Sequence, residues 1–493
     1  MQTRPFLTIL LLTAFVLAAF STRFDLSRIH ASGFNNYLND QIEYVSVARN
    51  WSETGRLESS IVYPSAIEHG EYRHLPGHAV LIAIAYSIFG DTTLSYLLPS
   101  LLAALLIPAL TFSIASKVYD RRTGWLSALF TMMFAPFIVF SFTAMPETTF
   151  VVAGLAGLSL LLAAGSRVRA LLVVPTLLLP FLFRETGAFL IFPFIVVATT
   201  VKRRMVAIFA TSTLIITGVY SLIVAPGSGA LFKANLVGAS ERIKYGDAVF
   251  ASSPLSVHEL FMGCVRNASE QLTVLADGFS RAPSSLQYAS LLLVLLATIA
   301  VLSVSIRRRD RFGIGVGMTS LVLWFFLIAL YQVDAFVGMR MTLFLVPFLA
   351  IAAFGLVRGK VATRVATVIT SLLVLGQIHF VLLVAPELSR NDEFDDRAIA
   401  FIEATEHDPG KLLVAPLRLA QAYALKRHPA RISLQPSNVE TLALLMKRYE
   451  IGSLIYSESQ LSDGLTTEDL KRIGFVDQES RQFDGADYVL LRK

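Results

Sequence analysis

The chain has 493 residues and a formal net charge of +6; 54% of it is hydrophobic and only 16% charged. Soluble domains carry about 25% charged residues, so a soluble multidomain protein does not fit. Nor does the basic excess read as a nucleic-acid surface, because Lys and Arg fall in short gaps between apolar runs, the pattern that encodes membrane topology.

The apolar run at 5–20 follows Arg4, and no small-x-small cleavage site succeeds it. It is therefore expected to be an uncleaved first span. Basic clusters follow at Lys117/Arg121/Arg122, Arg167/Arg169, Lys202/Arg203/Arg204, Arg307/Arg308/Arg309/Arg311 and Arg358/Lys360/Arg364, with only Asp120 and Asp310 among them as acids. The positive-inside rule puts all of them in the cytoplasm. That parity predicts eleven spans, at 4–21, 92–116, 123–141, 148–165, 169–183, 187–201, 205–225, 286–306, 312–333, 341–357 and 365–385. The apolar segment 76–89 is too short for a regular span and reads as an interfacial or re-entrant helix.

Three regions then lie outside: a first loop at 21–75, a second at 226–285, and a tail at 386–493 whose composition shifts to that of a soluble domain. In the tail, 412–414, 431–434 and 453–456 read as strands, with helical periodicity at 417–426 and 439–449. The predicted architecture is an all-α polytopic membrane protein, residues 1–385, carrying a small extracytoplasmic α/β domain at 386–493. Cys264 is the only cysteine, so neither an intramolecular disulfide nor a cysteine zinc site is available.

Polar chemistry gathers in the first loop. Asn39-Asp40-Gln41-Ile42-Glu43-Tyr44 opens a helical stretch, and Tyr72-Arg73-His74-Leu75-Pro76-Gly77-His78 leads into the short apolar helix. Asp40 could simply cap that first helix, a common task for Asp. Pro146-Glu147, Arg184-Glu185 and Arg340 stand at the outer ends of predicted spans. Each alone is compatible with a charged side chain reaching back to the interface; together they put both signs of charge beside the polar loop.

In the order of these features the chain resembles the C-type superfamily of membrane glycosyltransferases. The pattern is nearest the protein O-mannosyltransferases and the lipid A aminoarabinose transferase. The pieces that carry the resemblance are Asp40 with Tyr44 four residues on, Arg73-His74-Leu75-Pro76-Gly77-His78 with Phe89-Gly90, and Arg121-Arg122-Thr123-Gly124. Met145-Pro146-Glu147, Phe183-Arg184-Glu185-Thr186-Gly187 and Arg340 followed by Pro347 complete the set, over residues 1–385. The sequence departs from many relatives in having Gln41 rather than a second acid after the loop aspartate. It also has His74 before Leu75-Pro76 where aminoarabinose transferases have lysine before a proline pair.

The resemblance implies an inverting transfer of a hexose or pentose from a polyprenyl-phosphate carrier to an extracytoplasmic acceptor: protein, lipid or glycan. Asp40 is expected to act as general base and Glu147 to orient the acceptor or hold an assisting divalent cation. Tyr44, Arg73, His74, Arg184 and Arg340 are expected to bind substrate, the cations meeting the donor phosphate through paired oxygens. The expected partners are the bilayer of the inner or plasma membrane, the lipid donor and the acceptor, with no nucleic acid. A polytopic transporter or flippase is the main alternative, although transporters place ionisable groups near mid-membrane and these charges avoid the middles of the spans. A non-catalytic envelope assembly subunit, with the tail as binding module, is the other.

Overall fold

A computed structural model describes residues 3–22, 40–62, 75–163, 285–330, 342–357, 392–404, 411–426, 432–434, 439–457, 466–483 and 486–492, with isolated positions between, among them 182–184 and 340. The predicted spans at 187–201 and 205–225, most of those at 169–183 and 365–385, and most of the second loop lie outside the described residues.

The N-terminal part is helical: α1 Thr3–Ser21, α2 Asp40–Thr54, α3 Pro76–Phe89, α4 Thr93–Val118, α5 Arg121–Met133, α6 Ala135–Ser141 and α7 Glu147–Ala163. After the described residues resume come α8 Ser285–Arg308, α9 Arg311–Leu330 and α10 Leu345–Leu356. Among the described residues two helices are long and apolar enough to cross a membrane by length and composition, Arg4–Ser21 and Thr93–Val118. A third candidate is the pair α5 and α6, bent by 56°. The sequence suggested one continuous span at 123–141. The break at Phe134 follows from Pro136, which has no N–H for the carbonyl four residues back and whose ring crowds that turn.

Helix ends are satisfied locally. The Thr92 side chain caps α4 by accepting from Ser95 N, and Asp120 Oδ1 accepts from Thr123 N at 2.7 Å at the start of α5. The turn between α4 and α5 meets the turn between α8 and α9, where Tyr119 donates to Asp310 Oδ2 at 2.5 Å. Arg308 donates to the Leu356 carbonyl beside them. The basic clusters around Lys117/Arg121/Arg122 and Arg307–Arg311 therefore border one end of the bundle.

Glu147 begins at the other end. Ser100 on α4 donates to the Met145 carbonyl at 3.1 Å, and Thr148 donates back to the Ser100 carbonyl at 3.3 Å. At 1.5 Å rise per residue, Ser100 and the end of α4 at Tyr119 are about 28 Å apart. That is close to the roughly 30 Å of a hydrocarbon core.

The C-terminal part comprises α11 Asp392–Glu403, α12 Leu417–Lys426, α13 Val439–Arg448 and α14 Thr467–Arg472. They pack on a six-stranded sheet of order β1-β3-β2-β4-β6-β5, with β1 Ile61–Val62, β2 Leu412–Ala415, β3 Ile432–Leu434, β4 Ile451–Ser457, β5 Val476–Phe483 and β6 Ala486–Arg492. β2, β3 and β4 are parallel neighbours joined by helical crossovers, and β6 and β5 add antiparallel. Strand side chains alternate between faces. Leu413, Ala415 and Ile455 join a core with α2, α3, α11 and α12, whereas Leu412, Val414, Leu454 and Tyr456 pack with Leu442, Leu445, Leu470 and Phe475.

The edge strand β1, Ile61–Val62, comes from the first loop. It pairs in parallel with β3, Ile61 opposite Ile432 and Val62 opposite Ser433. The Ile432 N–H donates to the Ser60 carbonyl at 3.0 Å and Ser433 Oγ to the Val62 carbonyl at 3.1 Å. The first loop and the tail thus share one sheet.

Candidate active site

Four charged side chains from four separate stretches of sequence converge. Asp40 opens α2, Glu147 opens α7, Arg184 follows a short turn at Leu182–Phe183, and Arg340 precedes α10. Arg340 Nη2 donates to Asp40 Oδ2 at 2.8 Å while its Nε donates to Glu147 Oε1. Arg184 Nη2 donates to the same Glu147 oxygen. The two arginines therefore lie side by side on one carboxylate.

The two acids differ in access. The Glu147 side chain is 1% exposed and Asp40 29%, with Arg340 at 9% and Arg184 at 12%. Isolated burial of a carboxylate costs several kcal/mol, so Glu147 persists in this position because cations meet it. An acid in the first turn of α7 also lies favourably with that helix's dipole. Asp40 keeps an open side toward solvent. Of the two, it is the one a substrate hydroxyl could reach.

Tyr44 follows Asp40 by four residues, which puts both on one face of α2. Its ring is buried and meets His78 edge-on at 5.3 Å. Burial holds its phenol well above the ordinary value of 10.0, with Asp40 and Glu147 adding to the rise and Arg184 and Arg340 opposing it. Tyr44 is therefore a neutral hydroxyl at physiological pH.

The Leu75-Pro76-Gly77-His78 run explains itself here. Pro76 occupies the first turn of α3, where its missing N–H costs nothing. The Gly77 N–H, one of the donors a helix start leaves unpaired, donates to the Leu182 carbonyl at 2.9 Å. A Cβ on Gly77 would stand 2.6 Å from that oxygen. Glycine thus lets the first-loop motif approach the segment that carries Arg184.

His78, the last residue of that motif, is a site residue that the sequence does not single out. It is fully buried beside the cluster, its Nδ1 3.1 Å from Thr149 Oγ1. Thr149 donates its own hydroxyl to the Pro146 carbonyl at 2.8 Å, so His78 Nδ1 is the donor of that pair. His78 Nε2 and Glu147 Oε2 are both buried with no hydrogen-bond partner among the described residues. Burial lowers the His78 pKa to about 4, against a raising effect of Glu147. The only available sequence signal was its spacing, two residues into a Pro-initiated helix.

Of the residues singled out from the sequence, Asp40, Tyr44, Glu147, Arg184 and Arg340 are brought together. Arg73 and His74 lie outside the described residues. No group of three or more His, Cys, Asp or Glu side chains among the described residues is placed to hold a metal ion.

Residues 73–227 match the family described as dolichyl-phosphate-mannose-protein mannosyltransferase. That stretch includes Glu147 and Arg184 but neither Asp40 nor Arg340. That partial match agrees with the resemblance to the C-type superfamily of membrane glycosyltransferases carried by the motifs.

Among solved structures the fold is shared with ArnT from Cupriavidus metallidurans bound to undecaprenyl phosphate, at 14% identity over 98% of this chain and 97% of that one, with a TM-score of 0.56. The Archaeoglobus fulgidus oligosaccharyltransferase in complex with Zn and sulfate follows at 14% identity and a TM-score of 0.54, covering 91% of this chain and 68% of that one. The archaeal oligosaccharyltransferase AglB from the same organism, in complex with an inhibitory peptide and a dolichol-phosphate, is similar at 12% identity over 92% and 69%, with a TM-score of 0.52. No curated protein matches the chain in sequence.

Proposed function

We propose that the chain is a multi-pass glycosyltransferase of the inner or plasma membrane. It takes a hexosyl or pentosyl group from a polyprenyl-phosphate carrier and passes it, with inversion, to an acceptor on the outer side. The observation that carries this reading is the convergence of Asp40, Glu147, Arg184 and Arg340 at the end of the bundle opposite the basic turns. The ArnT and AglB structures that share the fold are described with undecaprenyl phosphate and dolichol-phosphate, which supports a lipid phosphate as the donor's carrier.

In this reading Asp40 takes the proton of the acceptor nucleophile as it attacks the anomeric carbon. The bond from that carbon to the phosphate oxygen breaks on the opposite face, and the lipid phosphate departs with its added negative charge. A positioned base contributes about 10²–10⁴-fold, and preorganised cations on the leaving oxygen contribute about 3–4 kcal/mol on the scale of one lost oxyanion donor. Arg184 and Arg340 supply the cations, joined by Arg73 and His74. Glu147, sealed beneath, holds the two guanidinium groups in register before the donor arrives, and Tyr44 offers a neutral hydroxyl to the sugar or its phosphate. A divalent cation would have to displace Arg340 from the two carboxylates it bridges.

Residues 1–385 would form the catalytic body and 386–493 the outer unit. The test is to incubate the purified full-length protein with a panel of polyprenyl-phosphate sugars and cell-envelope acceptors and to read donor consumption and product mass. Transfer by the wild type that is lost in Asp40→Asn supports the reading. Transfer unaffected by that substitution removes Asp40, and solute uptake into vesicles without covalent transfer would put a transporter in its place.

A further inference from the structure

Arg49 lies on α2, nine residues beyond Asp40, with 6% of its surface exposed. Each of its nitrogens is used on a different element. Nε donates to Tyr96 Oη at 2.7 Å on α4, Nη2 to Asp91 Oδ1 at 3.0 Å in the turn between α3 and α4, and Nη1 to the Leu425 carbonyl at 2.8 Å on α12. The Tyr96 hydroxyl in turn donates to Asp91 Oδ1. A planar five-donor fork holds such a three-way junction where a lysine, a single flexible point charge, holds it only in part.

α2 is also laced to the first loop and packed on α12. Ser46 Oγ accepts from the Ser60 N–H at 3.3 Å, and Asn50 Nδ2 donates to the Glu58 carbonyl at 2.7 Å, just before the chain enters β1. Ile42, Val45 and Ala48 pack in one core with Leu419, Ala420 and Tyr423 of α12. The tail is thus built into the mounting of α2.

We infer that Arg49 is a positioning residue for Asp40, and that through it the C-terminal α/β unit acts as the fixed support of the catalytic helix. This rests on the proposed transfer reaction. Nine residues of helix make a lever of about 13 Å. A tilt of about 4° at the Arg49 junction therefore moves Asp40 by about 1 Å, and a displacement of that size can cost about 10²-fold in rate.

The test compares full-length wild type with Arg49→Gln, Arg49→Lys and Tyr96→Phe, each normalised to correctly folded, monodisperse protein. Expected is a 10–100-fold fall in kcat for Arg49→Gln, on the scale of a misplaced catalytic group, with the donor KM within about threefold because Arg184 and Arg340 are undisturbed. Arg49→Lys should recover part of kcat. Tyr96→Phe, which keeps ring and packing and removes one bond of the junction, should lower kcat by about threefold to tenfold and keeps the inference open to refutation if Arg49→Gln does not fold. Wild-type kcat in Tyr96→Phe and in folded Arg49→Gln overturns the positioning role. A wild type that consumes no lipid-linked sugar refutes instead the reaction on which the inference rests.

Discussion

Arg340 and Asp40 are 300 positions apart in sequence, yet Nη2 of the one donates to Oδ2 of the other at 2.8 Å. The same guanidinium holds Glu147 through Nε, so one side chain fixes both acids of the candidate site. Its loss should be costly in two ways. Arg340→Met leaves buried Glu147 with Arg184 alone and is expected to destabilise the protein by about 3–5 kcal/mol, the cost of stranding a buried ion. Arg340→Lys, which keeps charge but not the fork, should fold and lose most transfer. Thermal melts in detergent beside a transfer assay separate the two.

Asp40→Asn should behave differently. Its carboxylate is partly open to solvent where it pairs with Arg340, so the melting temperature should fall by only a few degrees. Turnover should fall by about 10²–10⁴-fold, the contribution of a positioned base. Single-turnover assays at saturating donor read this directly.

His78 predicts a pH dependence of stability. In the folded protein burial holds it neutral down to about pH 4, whereas its ordinary pKa is 6.5. Between those values the unfolded chain binds the extra proton, so stability rises with pH through the window and is lost as pH falls from about 6.5 toward 4. The slope approaches about 1.4 kcal/mol per pH unit. The groups facing it, Tyr44, Thr149, Glu147 and Arg184, are on the elements packed around α3. His78→Gln should flatten the dependence in melts taken from pH 4 to pH 7. An equally steep curve in that variant would count against the assignment.

Gly77→Ala is expected to fail locally. The added methyl would lie 2.6 Å from the Leu182 carbonyl oxygen and 3.3 Å from Leu182 Cβ. Overpacking of this kind costs about 1–3 kcal/mol. Because Arg184 lies two residues beyond Leu182, donor KM should rise more than stability falls. Gly55→Ala, at a position with φ +74° and open space around it, offers a control whose strain is confined to its own backbone.

What could be read in the sequence follows from how local each signal is. Thr93–Val118 and Leu417–Lys426 were foreseen to within two residues because their periodicity and end signals lie within them. The break at Pro136 was written in the sequence, yet the unbroken apolar content of 123–141 masked it. The hairpin of β5 and β6 was passed over although Asp484-Gly485 between the strands is a strong turn signal, since β5 alternates weakly and is rich in charge. β1 could not have been found: two residues carry no period, and only pairing with Ile432 and Ser433 makes them a strand. The acids and arginines were picked out one at a time by position in the topology. That Arg184 and Arg340 share one oxygen of Glu147 is a tertiary fact with no local signature.

The bond between Ser433 and Val62 joins residues 371 positions apart. A chain emerging from its N-terminus presents the opening helix and its loop early, but the strand that completes them follows 371 positions later. Until then Ile61 and Val62 have no neighbour to pair with, and such long-range closures are late, entropically expensive events. Truncation between Leu356, the end of α10, and Leu417, the start of α12, would leave every residue of the charged cluster intact and still deprive α2 of the helix it packs on, so a distant stretch of the chain decides when the opening helix acquires its final shape.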